Sequence, residues 1–248
     1  MKVSIITAVY NRVTTVAEAI ESVQSQTYQD IEHVLIDGSS TDGTLGVLES
    51  MRDDRSVLVS EPDKGIYDAL SKGMARATGE VIGLMHSDDT FASNNVVQEV
   101  AKAFEDPTVD AVYGDLDYVA QNDPSKIIRR WKAGEFTAAK LKRGWMPPHP
   151  TLYLRRSVID RFGGYDTSYR IAADYDAILR YFGRGNLKVA YIPTVLVKMR
   201  VGGESNQSIK KIVRKSREDY RALRSNEVGG VTALAWKNLS KLNQFIAR

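Results

Sequence analysis

The chain has 248 residues, of which 43% are hydrophobic and 26% charged, a composition typical of a soluble globular protein. It contains no cysteine, which excludes disulfides, thiolate catalysis and cysteine-bound metals, and its three histidines argue against a histidine-rich metal site. No apolar run reaches the ~18 residues of a membrane span, and residues 1–7 lack the pattern of a signal peptide, so we expect a cytoplasmic protein.

The net charge of +3 is unevenly distributed along the chain. Residues 198–248 carry 12 Lys/Arg and 4 Asp/Glu, a net charge of +8, which leaves the preceding residues at −5. A basic tail of this kind is either a solvated helix face or a surface attracted to anionic lipid or to a phosphate-bearing acceptor. The second interpretation allows peripheral binding to the inner face of the plasma membrane.

Strand-like and helix-like segments alternate in the first half of the chain. The predicted strands are residues 3–9, 31–36, 57–60, 81–85 and 111–119, and the predicted helices are residues 15–24, 41–51, 66–77 and 94–104. Thr15 and Glu18 have the spacing of a capping box. The alternation predicts an α/β fold with a mostly parallel sheet and right-handed crossovers. Ligands of such sheets bind beyond the carboxyl ends of the strands.

The pattern becomes less regular after residue 119. It indicates a strand at 127–131, a rigid extended segment at 147–150, helices at 157–162 and 172–182, two strand-like runs within 187–199 separated by Pro193, and a loop at 202–206. Two helices follow, separated at Gly229-Gly230. An apolar stripe is predicted on the first of them, formed by Ile209, Ile212, Val213, Tyr220 and Leu223.

Acidic residues follow two of the predicted strands. Asp37 ends one apolar run, and Asp88-Asp89 follow another after a short polar step. Neighbouring carboxylates at a strand end favour a divalent metal with oxygen ligands. The turn 37–44 taken alone is also typical of an ordinary glycine-containing turn before a helix. The chain contains neither a P-loop lysine after that turn nor a G-x-G-x-x-G motif, which argues against those nucleotide-binding classes.

A third acidic motif is Asp174 and Asp176, two residues apart in a predicted helix. Residues with this spacing point to different faces of a helix, so only one of them can face a given cleft.

Taken together, these segments resemble inverting family-2 glycosyltransferases of the GT-A fold and bacterial polysaccharide type. The matching segments, in chain order, are residues 3–11, 34–44, 60–73, 77–80, 87–89 and 173–176. The resemblance implies a Rossmann-like, mostly parallel central sheet flanked by helices, with a C-terminal helical extension. It further implies a glycosyltransferase domain at 1–205, with a nucleotide-binding half (1–119) and an acceptor and catalytic half (120–205), followed by a basic extension (206–248).

The resemblance also implies roles for individual residues. Asp37 would accept a hydrogen bond from the imide nitrogen of the donor's base, and Asp88 would lie near the ribose. Asp89 would bind Mg²⁺ or Mn²⁺, and Asp174 would be the general base. The remaining expected nucleotide, diphosphate or acceptor contacts are the backbone at Thr7, Val9 and Asn11, together with Lys64, Tyr67, Asp68 and His149. His149 has an alternative interpretation as a loop histidine bonded to backbone.

Two residues depart from the family's usual pattern. Ser87 stands where many members have the first aspartate of the metal motif, so metal affinity is expected to depend on Asp89 and the donor phosphates. Gly38 replaces a second acidic residue that often follows Asp37.

The function implied is transfer of a hexosyl group from a nucleotide-diphosphate sugar, with UDP-sugar favoured, to a saccharide or lipid-linked saccharide acceptor. No nucleic-acid partner is expected. Two alternatives remain open, a non-catalytic sugar-nucleotide-binding or scaffold protein and a sugar nucleotidyltransferase. The nucleotidyltransferase would require a glycine-rich N-terminal loop, whereas residues 7–12 contain no glycine.

Overall fold

A computed structural model describes residues 1–201 and 209–243 of the chain, so the predicted loop at 202–206 lies outside the described residues. The strands are β1 (Val3–Val9), β2 (Ile31–Asp37), β3 (Ser56–Ser60), β4 (Val81–Leu84), β5 (Thr90–Phe91), β6 (Ala111–Ala120), β7 (Asp123–Trp131), β8 (Tyr153–Arg155) and β9 (Val189–Arg200). The helices are α1 (Val16–Gln24), α2 (Thr44–Met51), α3 (Ile66–Arg76), α4 (Val96–Ala103), α5 (Ala138–Leu141), α6 (Arg156–Phe162), α7 (Ala173–Arg184), α8 (Ile209–Ser225) and α9 (Val231–Asn243).

The nine strands form a single sheet in the order β3-β2-β1-β4-β8-β6-β9-β5, with β7 paired to β6. β3, β2, β1 and β4 are mutually parallel, β8 is antiparallel to both of its neighbours, and β6 is parallel to β9. The predicted α/β plan is therefore confirmed, with the parallel part concentrated in the first half of the chain.

The largely apolar sequences of β1, β2 and β4 suit strands that are covered on both faces of the sheet. β1, β2 and β4 are buried at every position, as expected for parallel strands covered by helices on both faces. β1 and β2 pair from Val3 with Ile31 to Val9 with Asp37, so both strands end at the same level. The loops that follow β1, β2 and β4 consequently meet at one edge of the sheet. This edge contains Asp37 and the segment Ser87-Asp88-Asp89, called the acidic step below.

Two sequence predictions about local backbone structure were wrong. Thr15 forms no side-chain cap on α1, because its hydroxyl donates instead to the carbonyl of Ser87, 3.0 Å away across the carboxyl edge of the sheet. The segment predicted to be extended at 147–150 passes into a single 3₁₀ turn over His149–Thr151. Proline is compatible with such a turn because its fixed φ suits the first helical positions.

Pro193 does not divide the strand that contains it. β9 continues through this residue, and its pairing with β6 shifts register between Gly114 and Leu116. Residues 193, 194 and 196 have no partner in β6, since Gly114 pairs with Ile192, Asp115 with Val195 and Leu116 with Val197. A bulge tolerates the missing proline N–H, which is why the strand survives.

The predicted apolar stripe of α8 was also wrong as a description of its packing. Ile212, Val213 and Tyr220 are exposed, whereas Leu223 is buried. The buried side chains of α8 include the polar Asp219 beside Ala222 and Leu223, and Asn226, the residue after the helix, is buried as well. At this end of α8 the Asn226 amide donates to Asp176 of α7.

Candidate active site

The loops after β1 and β2 are joined by reciprocal hydrogen bonds at the carboxyl edge of the sheet. The Asn11 backbone N–H donates to the Ser40 hydroxyl, and the Asn11 side-chain oxygen accepts from the N–H of Thr41, both at 2.9 Å. Asn11 and Ser39 adopt left-handed backbone conformations, with φ of 50° and 61°. These conformations, which are uncommon for residues other than glycine, bring the two loops together into one rim.

Three of the predicted nucleotide contacts lie beneath this rim. The buried carboxylate of Asp37 accepts hydrogen bonds from the Ser60 hydroxyl at 2.6 Å and the Ser40 N–H at 3.1 Å. Thr7 and Val9 are buried within β1, and the Thr7 hydroxyl is 2.9 Å from Nε2 of His33. The side chains of Thr7 and Val9 are therefore unavailable to a ligand, whereas Asp37 is a fixed acceptor.

Asp63 lies beside Gly38, where relatives often carry an acidic residue. A Cβ atom at position 38 would come 2.3 Å from Oδ2 of Asp63, so the glycine makes room for that carboxylate. The other Asp63 oxygen accepts the N–H of Gly65 at 2.7 Å. The β3–α3 loop thus supplies a carboxylate beside position 38, where the glycine itself has none. This exchange was not predicted from the sequence.

Lys64 and Asp68 are joined by a hydrogen bond at the start of helix α3. The Asp68 carboxylate accepts the Lys64 backbone N–H at 3.0 Å and lies 3.5 Å from the Lys72 ammonium. The hydrogen bond from Lys64 and the Lys72 charge lower the pKa of Asp68. The Lys64 side chain is exposed. Asp68 therefore caps the helix, and Lys64 is the member of the pair whose side chain remains available to a ligand.

The acidic step contains two carboxylates in different environments. Asp89 is buried, and its Oδ1 accepts the backbone N–H of Arg200 at 3.1 Å, whereas Asp88 is half-buried. Burial and the neighbouring Asp88 raise the pKa of Asp89 well above its usual range. The Arg200 guanidinium donates to the Asp88 carbonyl at 2.9 Å and also bonds to Glu18. The step is therefore held by β9 and α1.

The acidic step is suited to a divalent cation that also binds a diphosphate. Within residues 1–201 and 209–243, no group of three or more His, Cys, Asp or Glu side chains gathers in a metal-binding arrangement. Mg²⁺ is commonly held by one or two carboxylates together with substrate phosphates, and Asp88 with Asp89 matches that pattern. The residues present fit such an ion only when a donor supplies the remaining oxygens.

Asp174 lies in the first turn of α7 and is held by Tyr67 of α3. The Tyr67 hydroxyl donates to Asp174 Oδ1 at 3.2 Å and to the Ile171 carbonyl at 2.7 Å. The same carboxylate oxygen accepts the N–H of Tyr175 at 2.8 Å. Burial and the Asp174 charge raise the pKa of Tyr67 well above its usual range, so the phenol remains a donor. Tyr67, which was predicted to lie near the nucleotide, thus contacts Asp174, the predicted general base.

Two histidines connect Asp174 to the acidic step. The rings of His86 and His149 lie 5.9 Å apart between centroids, and Nε2 of His149 is 2.7 Å from the Tyr165 hydroxyl. Burial lowers the pKa of His149 to about 4. Burial also lowers the pKa of His86, while the charges of Asp88 and Asp174 act in the opposite direction. Asp174 therefore lies within electrostatic reach of both histidines, and Asp88 lies within reach of His86.

Asp176 has a structural role instead. Its carboxylate is 3.2 Å from the Arg180 guanidinium and accepts the Asn226 amide at 2.8 Å. Asp174 and Asp176 thus have different partners, as residues two apart on a helix should. Tyr165 and Arg200, both part of the cleft's support, were missed, because neither lies in a motif that marks it in the sequence.

Comparison with known proteins decides the family. Residues 4–163 match the sequence profile described as Glycosyl transferase family 2. The chain belongs to this family.

Two relatives of this family-2 chain come from mycobacteria. An uncharacterized glycosyltransferase of Mycobacterium tuberculosis is 32% identical over 181 residues, covering 72% of this chain and 68% of the relative. A PGL/p-HBAD biosynthesis glycosyltransferase of Mycobacterium bovis is 30% identical over 213 residues, covering 84% and 80%.

Solved structures share the fold at low sequence identity. TarS of Staphylococcus aureus superposes with a TM-score of 0.70 at 18% identity, over 92% of this chain but only 39% of TarS. A 1–349 form of TarS, solved in complex with UDP-GlcNAc, has the same TM-score. The mannosyltransferase PcManGT of Pyrobaculum calidifontis, in complex with GDP-Man and Mn²⁺, has a TM-score of 0.67 at 18% identity, over 100% of this chain and 76% of that one. The predicted GT-A fold is confirmed.

Proposed function

We propose that this glycosyltransferase moves a sugar from a nucleoside-diphosphate donor to an acceptor hydroxyl, with inversion at the sugar carbon. The observation that carries the proposal is that Asp88 and Asp174, 86 residues apart in the chain, both act electrostatically on His86, whose ring lies 5.9 Å from that of His149. We infer that the predicted general base and the predicted diphosphate site share one cleft. A transferase needs this arrangement, because acceptor and leaving group react at the same carbon.

The chemistry follows from the charges that develop during the reaction. A bound Mg²⁺ or Mn²⁺ would neutralise charge on the leaving diphosphate, with Asp89 as its protein ligand and Asp88 near the ribose. Asp174 takes the proton from the acceptor hydroxyl, which is a poor nucleophile at neutral pH. Tyr67 holds one Asp174 oxygen at 3.2 Å and leaves the other for the acceptor. One base and no protein nucleophile give a single displacement, hence inversion.

The nucleotide lies, in this proposal, against the rim formed by Asn11 and the residues around Asp37. The Asp37 carboxylate accepts the imide N–H of the base, and its orientation is fixed by Ser40 and Ser60. We favour a UDP-sugar, as bound to TarS, although the complex of PcManGT contains GDP-Man. Lys64 and His149 are the proposed diphosphate or acceptor contacts.

The acceptor proposed is a saccharide or lipid-linked saccharide used in a surface polysaccharide or glycolipid. The biosynthetic name of the Mycobacterium bovis relative supports a glycoconjugate product. No described helix is long and apolar enough to cross a bilayer. Instead, α8 exposes the basic Arg214 and Arg217 beside Val213 and Tyr220, a face suited to the surface of an anionic membrane.

The membrane part of the proposal is tested by vesicle sedimentation at low salt. Vesicles containing phosphatidylglycerol should retain the protein, vesicles of phosphatidylcholine alone should not, and Arg214→Gln/Arg217→Gln should weaken retention. Indifference of the wild-type chain to the anionic vesicles contradicts peripheral binding without affecting the catalytic proposal.

The catalytic proposal is tested with a panel of UDP- and GDP-sugars in Mn²⁺. A true donor should raise the unfolding temperature, since a ligand that binds only the folded state stabilises it by mass action. The same donor should then be consumed, and proton NMR should show a product of inverted anomeric configuration. Stabilisation with no turnover on any saccharide or glycolipid acceptor would identify a non-catalytic binder, and a retained anomer would exclude single displacement.

A further inference from the structure

A carboxylate from the C-terminal extension binds the loop that precedes α7. Oε2 of Glu218, in α8, accepts three consecutive backbone N–H groups, from Arg170 at 3.1 Å, Ile171 at 2.8 Å and Ala172 at 3.0 Å. Successive N–H groups converging on one oxygen form an anion-binding concavity, and hydrogen bonds to a charged acceptor are roughly twice as strong as neutral ones. The loop is therefore fixed by a side chain about 46 residues further along the chain.

This loop also sets the position of Asp174, the predicted general base. The Ile171 carbonyl accepts a hydrogen bond from the Tyr67 hydroxyl, and that hydroxyl donates to Asp174 as well. Asp174 is only two residues beyond the last N–H that Glu218 binds. A displacement of the loop thus changes both the backbone that carries the carboxylate and the phenol that orients it.

Further contacts attach α8 and α9 to the first turns of α7. Asp219 and Lys237 form an ion pair of 2.9 Å in which each side chain is 4% exposed. The Lys237 ammonium lies 3.1 Å from the centre of the Tyr175 ring, and Tyr175 follows Asp174 directly. Glu218 therefore projects from a helix that is itself anchored beside the cleft.

We propose that Glu218 is a positioning residue for sugar transfer, and that the C-terminal helices are part of the catalytic apparatus. Glu218 contacts no reacting atom; it acts through the loop 170–172, Tyr67 and Asp174. The inference rests on the proposed function, because it requires Asp174 to be the base. The hydrogen bonds that hold the nucleotide rim come from Asn11, Ser40 and Thr41 in the loops after β1 and β2, so we expect donor binding to change little when Glu218 is altered.

The kinetic test compares Glu218→Ala and Glu218→Gln with the wild-type chain. Glu218→Ala should lower kcat by about 10- to 100-fold, since small misplacements of a catalytic group have effects of this size. The donor KM and the Kd for UDP should change less than about 2-fold. Glu218→Gln keeps an acceptor oxygen and should recover part of kcat. Glu49→Gln, the same change at an exposed position of α2, should leave kcat and KM unchanged.

Amide hydrogen exchange provides a readout that needs no activity. Exchange at residues 170–172 should accelerate in Glu218→Ala, with little change in β1 and β2. An unchanged kcat in folded Glu218→Ala, or protection of these amides equal to wild type, overturns the inference. A Glu218→Gln variant that loses donor binding and kcat together also overturns it, since that result indicates a general structural role. If exchange accelerates but wild-type protein transfers no sugar, the proposed function fails instead.

Discussion

Gly38 and Asp63 show how one residue type at the nucleotide rim depends on another that is distant in sequence. Asp63 occupies the space that a side chain at position 38 would need, and it bonds to Gly65 at the start of α3. The departure from the usual family pattern at Gly38 is therefore compensated locally. The carboxylate is supplied by a different loop, and the rim keeps an acidic group beside Asp37.

Substitution of Gly38 tests this packing. In Gly38→Ala the new methyl would lie 2.3 Å from Oδ2 of Asp63, so that carboxylate must move and release the Gly65 N–H. We expect a loss of about 1–3 kcal/mol in the free energy of unfolding, typical of overpacking, together with weaker UDP binding by calorimetry. The double variant Gly38→Ala/Asp63→Ala should regain most of the stability.

A matched glycine provides the control for this experiment. A Cβ at Gly46, within α2, would meet nothing within 4 Å. Gly46→Ala should leave UDP binding unchanged and should stabilise the chain by up to ~1 kcal/mol through helix propensity. If Gly38→Ala is as well tolerated as Gly46→Ala, Asp63 does not occupy the assigned position.

At the scale of single elements, His33 couples the pairing of β1 and β2 to pH. Its ring is buried in β2, with Nε2 2.9 Å from the Thr7 hydroxyl of β1. Burial lowers the pKa of His33 from 6.5 to about 4. The unfolded chain therefore takes up this proton at a higher pH than the folded chain, and stability falls as pH decreases from about 6.5 to about 4.

Chemical denaturation at pH 7 and pH 4.5 measures the contribution of His33. Protonation linked to His33 should lower the unfolding free energy by about 2–3 kcal/mol over this range, given ~1.4 kcal/mol per pKa unit. His33→Gln keeps a polar group near Nε2 but does not titrate, so it should lose less stability than wild type by about that amount. Equal losses would show that His33 is not the titrating group. His149 should act in the same direction, as its pKa is also lowered by burial.

Among the elements, the sequence predicted best those strands whose residues are all buried. β1, β2 and β4 are buried throughout, and their largely apolar runs identified them and the acidic residues at their ends. β5 and β8 have two and three residues, too few for a period to show. The exposed residues of α8 were misassigned because Asp219 in the helix and Asn226 just after it are buried, with partners in other helices.

In the candidate site, the residues in motifs were predicted from the sequence and the residues that support them were not. Motif residues such as Asp37, Asp88, Asp89 and Asp174 were identified from the sequence because each follows or begins an element at the carboxyl edge. Their supporting residues were not, since Tyr165, Arg200 and Glu218 act through contacts between segments far apart in the chain. Such contacts have no local pattern.

For the molecule as a whole, metal and nucleotide should bind as a coupled pair. The acidic step offers two adjacent carboxylates, and burial with the neighbouring Asp88 keeps the pKa of Asp89 well above its usual range. A cation must compete with a proton for the Asp89 carboxylate, and it must obtain its other ligands from phosphate. We therefore expect little Mn²⁺ binding by calorimetry to the protein alone, clear binding with UDP present, and weaker binding as pH falls.

Asp89→Asn controls this measurement, because it should abolish the dependence of Mn²⁺ binding on UDP while leaving the fold intact. Tight Mn²⁺ binding to the wild-type chain without nucleotide contradicts the assignment of a site completed by the donor.

The central claim is that Asp174 accepts the proton of the acceptor hydroxyl, and kcat of Asp174→Asn tests it most directly. The amide keeps the shape of the carboxylate and an oxygen for the bonds from Tyr67 and Tyr175, but it cannot act as the base. Asp160→Asn, at an exposed position of α6, is the matched control. We predict a fall in transfer kcat of about 10²- to 10⁴-fold for Asp174→Asn, with donor binding and unfolding temperature close to wild type. Transfer by Asp174→Asn at the rate of wild type and Asp160→Asn would contradict the account.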